Sequence, residues 1–266
     1  MTSKDLSIGM VQVKAKHWPF SGFVTEFVTS SAEAWQLPVW SMLLLWLVPL
    51  FMMAIGMFAA LFHKKTYLLI TGEDGIAENL QVFIYMITFI LALIPTYIHW
   101  QAQERLIAVL YMSLCVGLLF LCGEEISWGQ RIFGWQTMGI FAKINQQHET
   151  NLHNLKGVQY LFKWVQLLVG AYGVFLPLII KRWNVFPAFR SLFAATIPHE
   201  SLIPYFGAMF LWKLYRNLVR MPGRWEFRLA EYNEIIELLL ALGLFLFIVF
   251  QIRQIRHART NSTNIV

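Results

Sequence analysis

Long apolar stretches separated by short polar ones dominate this chain, and six stand out: 37–62, 80–98, 106–122, 160–180, 201–215 and 234–250. Runs near ~20 apolar residues match what an α-helix needs to cross the ~30 Å hydrocarbon layer of a bilayer. The pattern predicts an all-α fold, a polytopic transmembrane helix bundle. The fifth run is short and contains Pro204, which also suits a broken or re-entrant helix. A further half-span falls at 186–197, so the expectation is about six to eight spans. Pro38, Pro177, Pro187 and Pro198 punctuate span ends and kinks, and Trp and Tyr gather near several boundaries, as membrane interfaces favour.

These runs divide the chain into an extramembrane or interfacial segment 1–36, a transmembrane domain 37–254 and a basic polar tail 255–266. In the leader, Trp18, Phe20, Phe23, Phe27 and Trp35 alternate with polar residues, which suits a segment lying on the bilayer as well as an ordinary tail. The first apolar run starts too late and runs too long for a cleaved signal peptide. Composition agrees with the pattern: 58% hydrophobic, 16% aromatic and 14% charged residues, with a mean hydropathy of +0.55.

Charge adds less. The net +6 does not indicate nucleic acid as a partner, and Arg216, Arg220, Arg224 and Arg228 suit lipid phosphates or a cytoplasmic loop. Basic residues divide nearly evenly between the two faces of a six-span bundle, so they choose no orientation. Cys115 and Cys122 stand seven positions apart on one helix, roughly 10 Å by helical rise, too far to bridge.

Acid placement is lopsided. With six spans, one face collects Glu73, Asp74, Glu78, Glu124, Glu125, Glu149, Glu226, Glu231, Glu234 and Glu237, ten of the 15 acids. In a compact bundle the three loops carrying them can converge on one site. Glu124 and Glu125, directly after the apolar run 106–122, point about 100° apart on a continuing helix. Glu124 then shares a stripe with Trp128 and Arg131, so one carboxylate can meet Arg131 while the other faces the bundle. Such a split environment prepares a carboxylate for general base work on water.

In Asn145-Gln146-Gln147-His148-Glu149-Thr150-Asn151-Leu152-His153-Asn154, a helix would align Glu149 with His153, as two ligands of one metal or an acid orienting an imidazole. Glu231, Glu234 and Glu237 form a drifting stripe into the sixth span. At the depth of Glu237 an ionised acid costs about 2 to 3 kcal/mol unless paired, protonated or hydrated. Gly72 to Asn79 has the look of a helix N-terminus with acids complementing its dipole, or of an oxygen-ligand cation site from Asp74, Glu78 and Asn79. Lys163 suits a snorkelling side chain, and His199 beside Pro198 a simple turn.

The Glu124-Glu125-Ile126-Ser127-Trp128 run resembles the first motif of the CAAX-protease and bacteriocin-processing intramembrane proteases, where adjacent glutamates precede an aromatic stretch and an arginine. Arg131 lies six residues after the second glutamate instead of four, and the family's later histidine motifs do not occur. The resemblance implies Glu124 or Glu125 as base and His148 or His153 as support in peptide cleavage. The whole chain is also similar to uncharacterised bacterial inner-membrane proteins, which implies a multi-pass location in that membrane and no activity.

The expected catalytic set is therefore Glu124, Glu125, His153 and Arg131, with Glu125, Glu149, His153 and Glu237 as a ligand set should a divalent metal be the cofactor. The partners are the lipid bilayer and a lipid or peptide substrate of an intramembrane hydrolase. Competing expectations are a proton- or ion-coupled transporter titrating Glu125, Glu237 and His153, and a non-catalytic membrane-complex subunit.

Overall fold

The computed structural model describes residues 19–145, 149–152, 155, 157–183, 190–219 and 223–263. Among these the chain is helical, with no strand and one isolated bridge between Asn145 and Leu155. The helices are α1 (Pro19–Trp35), α2 (Val39–Phe62), α3 (Lys64–Thr71), α4 (Ile76–Gln101), α5 (Arg105–Glu125), α6 (Gln130–Phe133), α7 (Gly139–Ile144), α8 (Val158–Trp183), α9 (Arg190–Thr196), α10 (Ile203–Leu218) and α11 (Gly223–Thr263).

Five stretches are long and apolar enough to cross a membrane: α2, the α3–α4 segment Lys64–Gln101, α5, Val158–Lys181 of α8 and Trp225–Thr260 of α11. Leu47, Phe51, Phe83, Val116 and Leu168 are among many large apolar side chains that face outward on these helices. Soluble monomers rarely leave more than a few hundred Å² of contiguous apolar surface bare. The chain is a multi-pass membrane protein.

The expected fifth span becomes α10, whose 16 residues rise only about 24 Å, short of a ~30 Å hydrocarbon layer. Five helices thus meet the length requirement where six to eight spans were expected. Pro204 sits in the first turn of α10, where its missing N–H costs no intrahelical bond, so it starts the helix and does not break it. The half-span at 186–197 lies partly outside the described residues, and its remainder belongs to α9.

Helix α11 is the axis of the bundle. Buried residues make up 67% of its apolar stretch, against 22–39% in the other four spanning segments. Ile235, Ile236, Leu239, Ala241 and Ile248 are all buried on it, so apolar side chains are enclosed on several of its sides. Helices α4 and α5 pack as one pair and α8 and α10 as another, with α4, α10 and α2 lying against α11. Gly170 permits the second pairing: a Cβ there would stand 2.6 Å from the Phe210 backbone nitrogen.

No such close packing joins α5 to α8. Their rings meet at a Phe120–Phe162 stack with centroids 6.1 Å apart, and beneath it a gap opens onto α11. At the far end α9 bridges the two: Tyr111 on α5 donates to the Ala195 carbonyl, and Tyr172 on α8 donates to the Thr196 carbonyl.

The leader is more than a tail. Helix α1 ends inside the core, where Trp35 is buried, tilts against Phe250 and donates through Nε1 to Ser201 Oγ at 2.8 Å. Arg253 and Gln254 donate to the Trp35 and Ala34 carbonyls and satisfy the end of α1. Trp18 lies outside the described residues. The basic tail continues α11 as helix to Thr263.

Candidate active site

The site is built at the end of the bundle where the α3–α4 turn, the α5–α8 connection and the start of α11 meet. Helix α5 stops at Glu125 because the chain turns sharply: Ser127, Trp128 and Gly129 all have positive φ, at 47°, 52° and 94°. Gly129 adopts this conformation without steric cost, whereas Ser127 and Trp128 do not. Their side chains hold the turn. Trp128 Nε1 donates to Glu124 Oε1 at 2.7 Å, and Ser127 Oγ donates to Glu149 Oε2 at 2.9 Å.

This kink overturns the expected stripe of Glu124, Trp128 and Arg131. Trp128 does meet Glu124, but Arg131 is carried across to other acids. Its guanidinium reaches Glu78 at 2.5 Å, Glu149 at 3.0 Å and Asp74 at 3.1 Å, with Glu73 at 4.0 Å. The arginine therefore ties the α3–α4 turn to the α5–α8 connection. Burial works against the Glu149 charge, but Arg131 and the Ser127 hydroxyl outweigh it and hold the Glu149 pKa below the ordinary carboxylate value. Burial also opposes the Arg131 charge, and Glu78 and Glu149 more than reverse this, raising its pKa.

The helix expected to align Glu149 with His153 is not present at Glu149 and Thr150, which lie in irregular chain. The amide of Asn145 replaces helical hydrogen bonds here. Its Nδ2 donates to the Asn151 carbonyl at 3.0 Å and to Asn151 Oδ1 at 2.8 Å, while its Oδ1 accepts from the Glu149 N–H at 3.2 Å. Asn151 Nδ2 then donates to Glu149 Oε2 at 2.6 Å. Leu152 N–H donates to Glu124 Oε2 at 2.8 Å, so Glu124 has a partner on each oxygen. His148 and His153, expected as catalytic support and as a metal ligand, lie outside the described residues.

Glu78 serves two ends. It pairs with Arg131 and caps α4, its Oε2 accepting from the Asp74 N–H at 2.7 Å, while Asn79 donates to the Asp74 and Gly75 carbonyls. The helix-start reading of Gly72 to Asn79 describes this turn; of the oxygens in the alternative cation site, Glu78 Oε2 caps the helix and the Asp74 carboxylate pairs with Arg131.

Below this cap lies a cavity of about 1050 Å³ between α5, α8, α10 and α11. It extends from Gly72 and Arg216 at the acid end to Thr196 and Pro198 near α9. Leu114, Leu118, Leu121, Val169, Leu244 and Phe247 give it apolar walls along most of that length. Glu125, Glu234 and Glu237 line its polar end together with Tyr85 and Lys213, so the acids of the third and sixth predicted spans do share one space.

Their partners differ. Glu237 accepts from Gln166 at 2.8 Å, from Asn233 and from Lys213 at 3.4 Å. Glu234 accepts from Gln81 at 3.1 Å. Glu125 has no hydrogen bond or ion pair among the described residues, and neither does the hydroxyl of Tyr85, a residue only 3% exposed. A free acceptor and a free donor therefore face the same cavity.

Sequence reasoning missed Tyr85, Lys213 and Gln166. Each is one polar residue inside an apolar run, a sign that was present but discounted. Of the expected metal set, Glu149 meets Arg131, Ser127 and Asn151 and His153 lies outside the described residues; among the described residues no three His, Cys, Asp or Glu side chains are placed to hold an ion. Cys115 and Cys122 are free and buried on the face of α5 turned to α4. Lys163 lines the cavity and stands 5.5 Å from the Tyr160 ring. No known protein family, curated protein or solved structure matches the chain, so the chemistry of this cavity is what points to function.

Proposed function

We propose that the chain is an intramembrane hydrolase of a lipid-like amphiphile, with Glu125 as general base and the Tyr85 hydroxyl as the donor to the developing oxyanion. One observation carries this reading: a long apolar cavity ends at an unpaired carboxylate and an unpaired hydroxyl. An acyl chain fits the apolar length, entering from the bilayer through the gap between α5 and α8, with α10 as a short sixth membrane segment behind it. Water enters at the polar end beside Glu73 and Arg216.

In the proposed step Glu125 takes a proton from water, and the water oxygen attacks the carbonyl carbon of an ester or amide link. The oxyanion forms against Tyr85, the bond to the head breaks, and the leaving group takes the proton back from Glu125. Glu124 and Arg131, part of the expected catalytic set, act as positioning residues, since both are engaged in holding the kink and the cap. Release of fatty acid from phospholipid or acyl-amine in nanodiscs is the test. Glu125→Gln is expected to abolish release while the amphiphile stays bound, and Tyr85→Phe to lower the rate about 10²-fold. Undiminished release by Glu125→Gln sinks the mechanism.

The length of the cavity favours a second reading, a transporter, because a chamber reaching from Arg216 to Pro198 spans most of the bundle. Proton-coupled movement of an intact amphiphile across liposomes, with no cleavage product, selects it.

A further inference from the structure

The polar end of the cavity has a charge surplus that says which head group it takes. Four cationic side chains line the cavity, and three are engaged by oxygen acceptors. Arg131 pairs with Glu78 and Glu149, Arg216 with Glu226, and Lys213 with Asn233 and Glu237. The fourth, Lys163, lies toward the Tyr160 ring.

Glu125 and Glu234 form no ion pair among the described residues, and Arg131 and Lys213 act on them only from longer range. Glu125 has no polar partner there, and Glu234 has only the neutral amide of Gln81. Two carboxylates without a counter-charge in contact thus border one low-dielectric space, with the Glu237 carboxylate beside them.

An independent observation points to a missing partner and not to a self-contained acid cluster. The Tyr85 hydroxyl, on a residue 3% exposed, lines the same space with no hydrogen bond among the described residues. Buried polar groups are ordinarily satisfied, so an unpartnered hydroxyl beside these carboxylates marks a place where a ligand belongs.

We propose that the amphiphile bound in this cavity carries a cationic amine or ammonium head, held among Glu125, Glu234 and Tyr85 with its tail along α5 and α11. The inference rests on the cavity being an amphiphile site. A positive head supplies the missing charge to Glu125 and Glu234 and offsets the repulsion between them and Glu237. An anionic head meets that repulsion undiminished.

The test uses the full chain in nanodiscs of neutral lipid and three single-chain probes of equal tail length: a primary alkylammonium, an alkyl sulfate and an alkyl maltoside. Equilibrium binding is expected to be about tenfold tighter for the ammonium than for the other two. In Glu125→Gln/Glu234→Gln this preference falls to near unity while maltoside binding is unchanged, and unchanged maltoside binding also shows that the variant is folded.

Equal binding of all three probes, or tighter binding of the sulfate, overturns the cationic head and leaves the amphiphile site standing. Failure of every probe to bind overturns both.

Discussion

Arg131→Met should be among the most destabilising single changes in the cap, and its cost follows from which of its partners are buried. Asp74 and Glu73 have side chains 70% and 56% exposed, so their pairing with Arg131 is screened by water and each contributes about 0–1 kcal/mol. Glu78 and Glu149 are 12% and 11% exposed. Removing the guanidinium leaves two buried carboxylates facing each other with no counter-charge, and breaking a buried pair in this way costs about 3–5 kcal/mol. The two losses share one partner, so they do not double. Arg131→Lys should recover only part, because an ammonium cannot spread over Glu78 and Glu149 as the guanidinium fork does.

The pH dependence gives the same reasoning a second handle. The folded-state pKa of Glu149 lies below its ordinary 4.5, with burial opposing and Arg131 and Ser127 prevailing. A depressed carboxylate contributes stability that is fully present above its unfolded value and is lost as pH falls through the folded value. The wild-type protein should therefore lose stability on acidification below about pH 4.5. In Arg131→Met this acid-side loss should flatten or reverse, since burial without the guanidinium favours the protonated acid. Unfolding in mild detergent, followed by tryptophan fluorescence across that range, measures both effects. Adding Glu78→Gln and Glu149→Gln to Arg131→Met should return most of the stability. An Arg131→Met protein within about 0.5 kcal/mol of wild type, with the same acid slope, would show Arg131 to be an ordinary surface charge.

Two further changes test the frame that holds the site. Gly170→Ala places a methyl 2.6 Å from the Phe210 backbone nitrogen, which cannot swing aside as a side chain can, so α8 and α10 must separate at a cost of about 1–3 kcal/mol; a melting temperature equal to wild type would refute that close approach. Trp35→Phe keeps most of the packing against Phe250 but removes the 2.8 Å bond to Ser201 Oγ, and should cost about 1 kcal/mol in the same unfolding assay, whereas no change would mean that α1 docks without it.

The spanning helices were legible because a run such as 37–62 has no soluble alternative; the ends of α2, α5 and α8 were placed within a few residues, whereas α11 extends well beyond 234–250 at both ends. What periodicity does not encode is which helix becomes the axis. The last run, 234–250, differs from 106–122 mainly in having neighbours on every side, and nothing in its own order says so. Convergence of the acids followed from a six-pass alternation, in which the short α10 supplies the pass that returns the chain to the end carrying Glu78, Glu125 and Glu237. Partner choice was not legible. The expectation that Arg131 meets one of the paired glutamates assumed a helix continuing past Glu125. Ser127 and Trp128, neither of them residues that favour positive φ, concealed the break. Likewise Glu149 and His153 have helical spacing, but Asn145 offers the backbone a local alternative that a helix pattern ignores.

The break after Glu125 also explains how two adjacent, chemically identical residues come to do different things. Glu124 is reached from outside the helix by the Trp128 indole and from the returning chain by the Leu152 N–H, and with both oxygens engaged it fixes the kink. Glu125, about 100° around the same last turn, is turned away from that returning chain and toward α11. A helix continuing through Arg131 would have carried the guanidinium up the Glu124 stripe and left the α3–α4 turn untied. A helix ending before Glu124 would have moved both acids into the polar cap. Only a stop at this residue spends one carboxylate on holding the chain and leaves its neighbour bare at the polar end of an apolar chamber, which is the condition a base in a membrane requires.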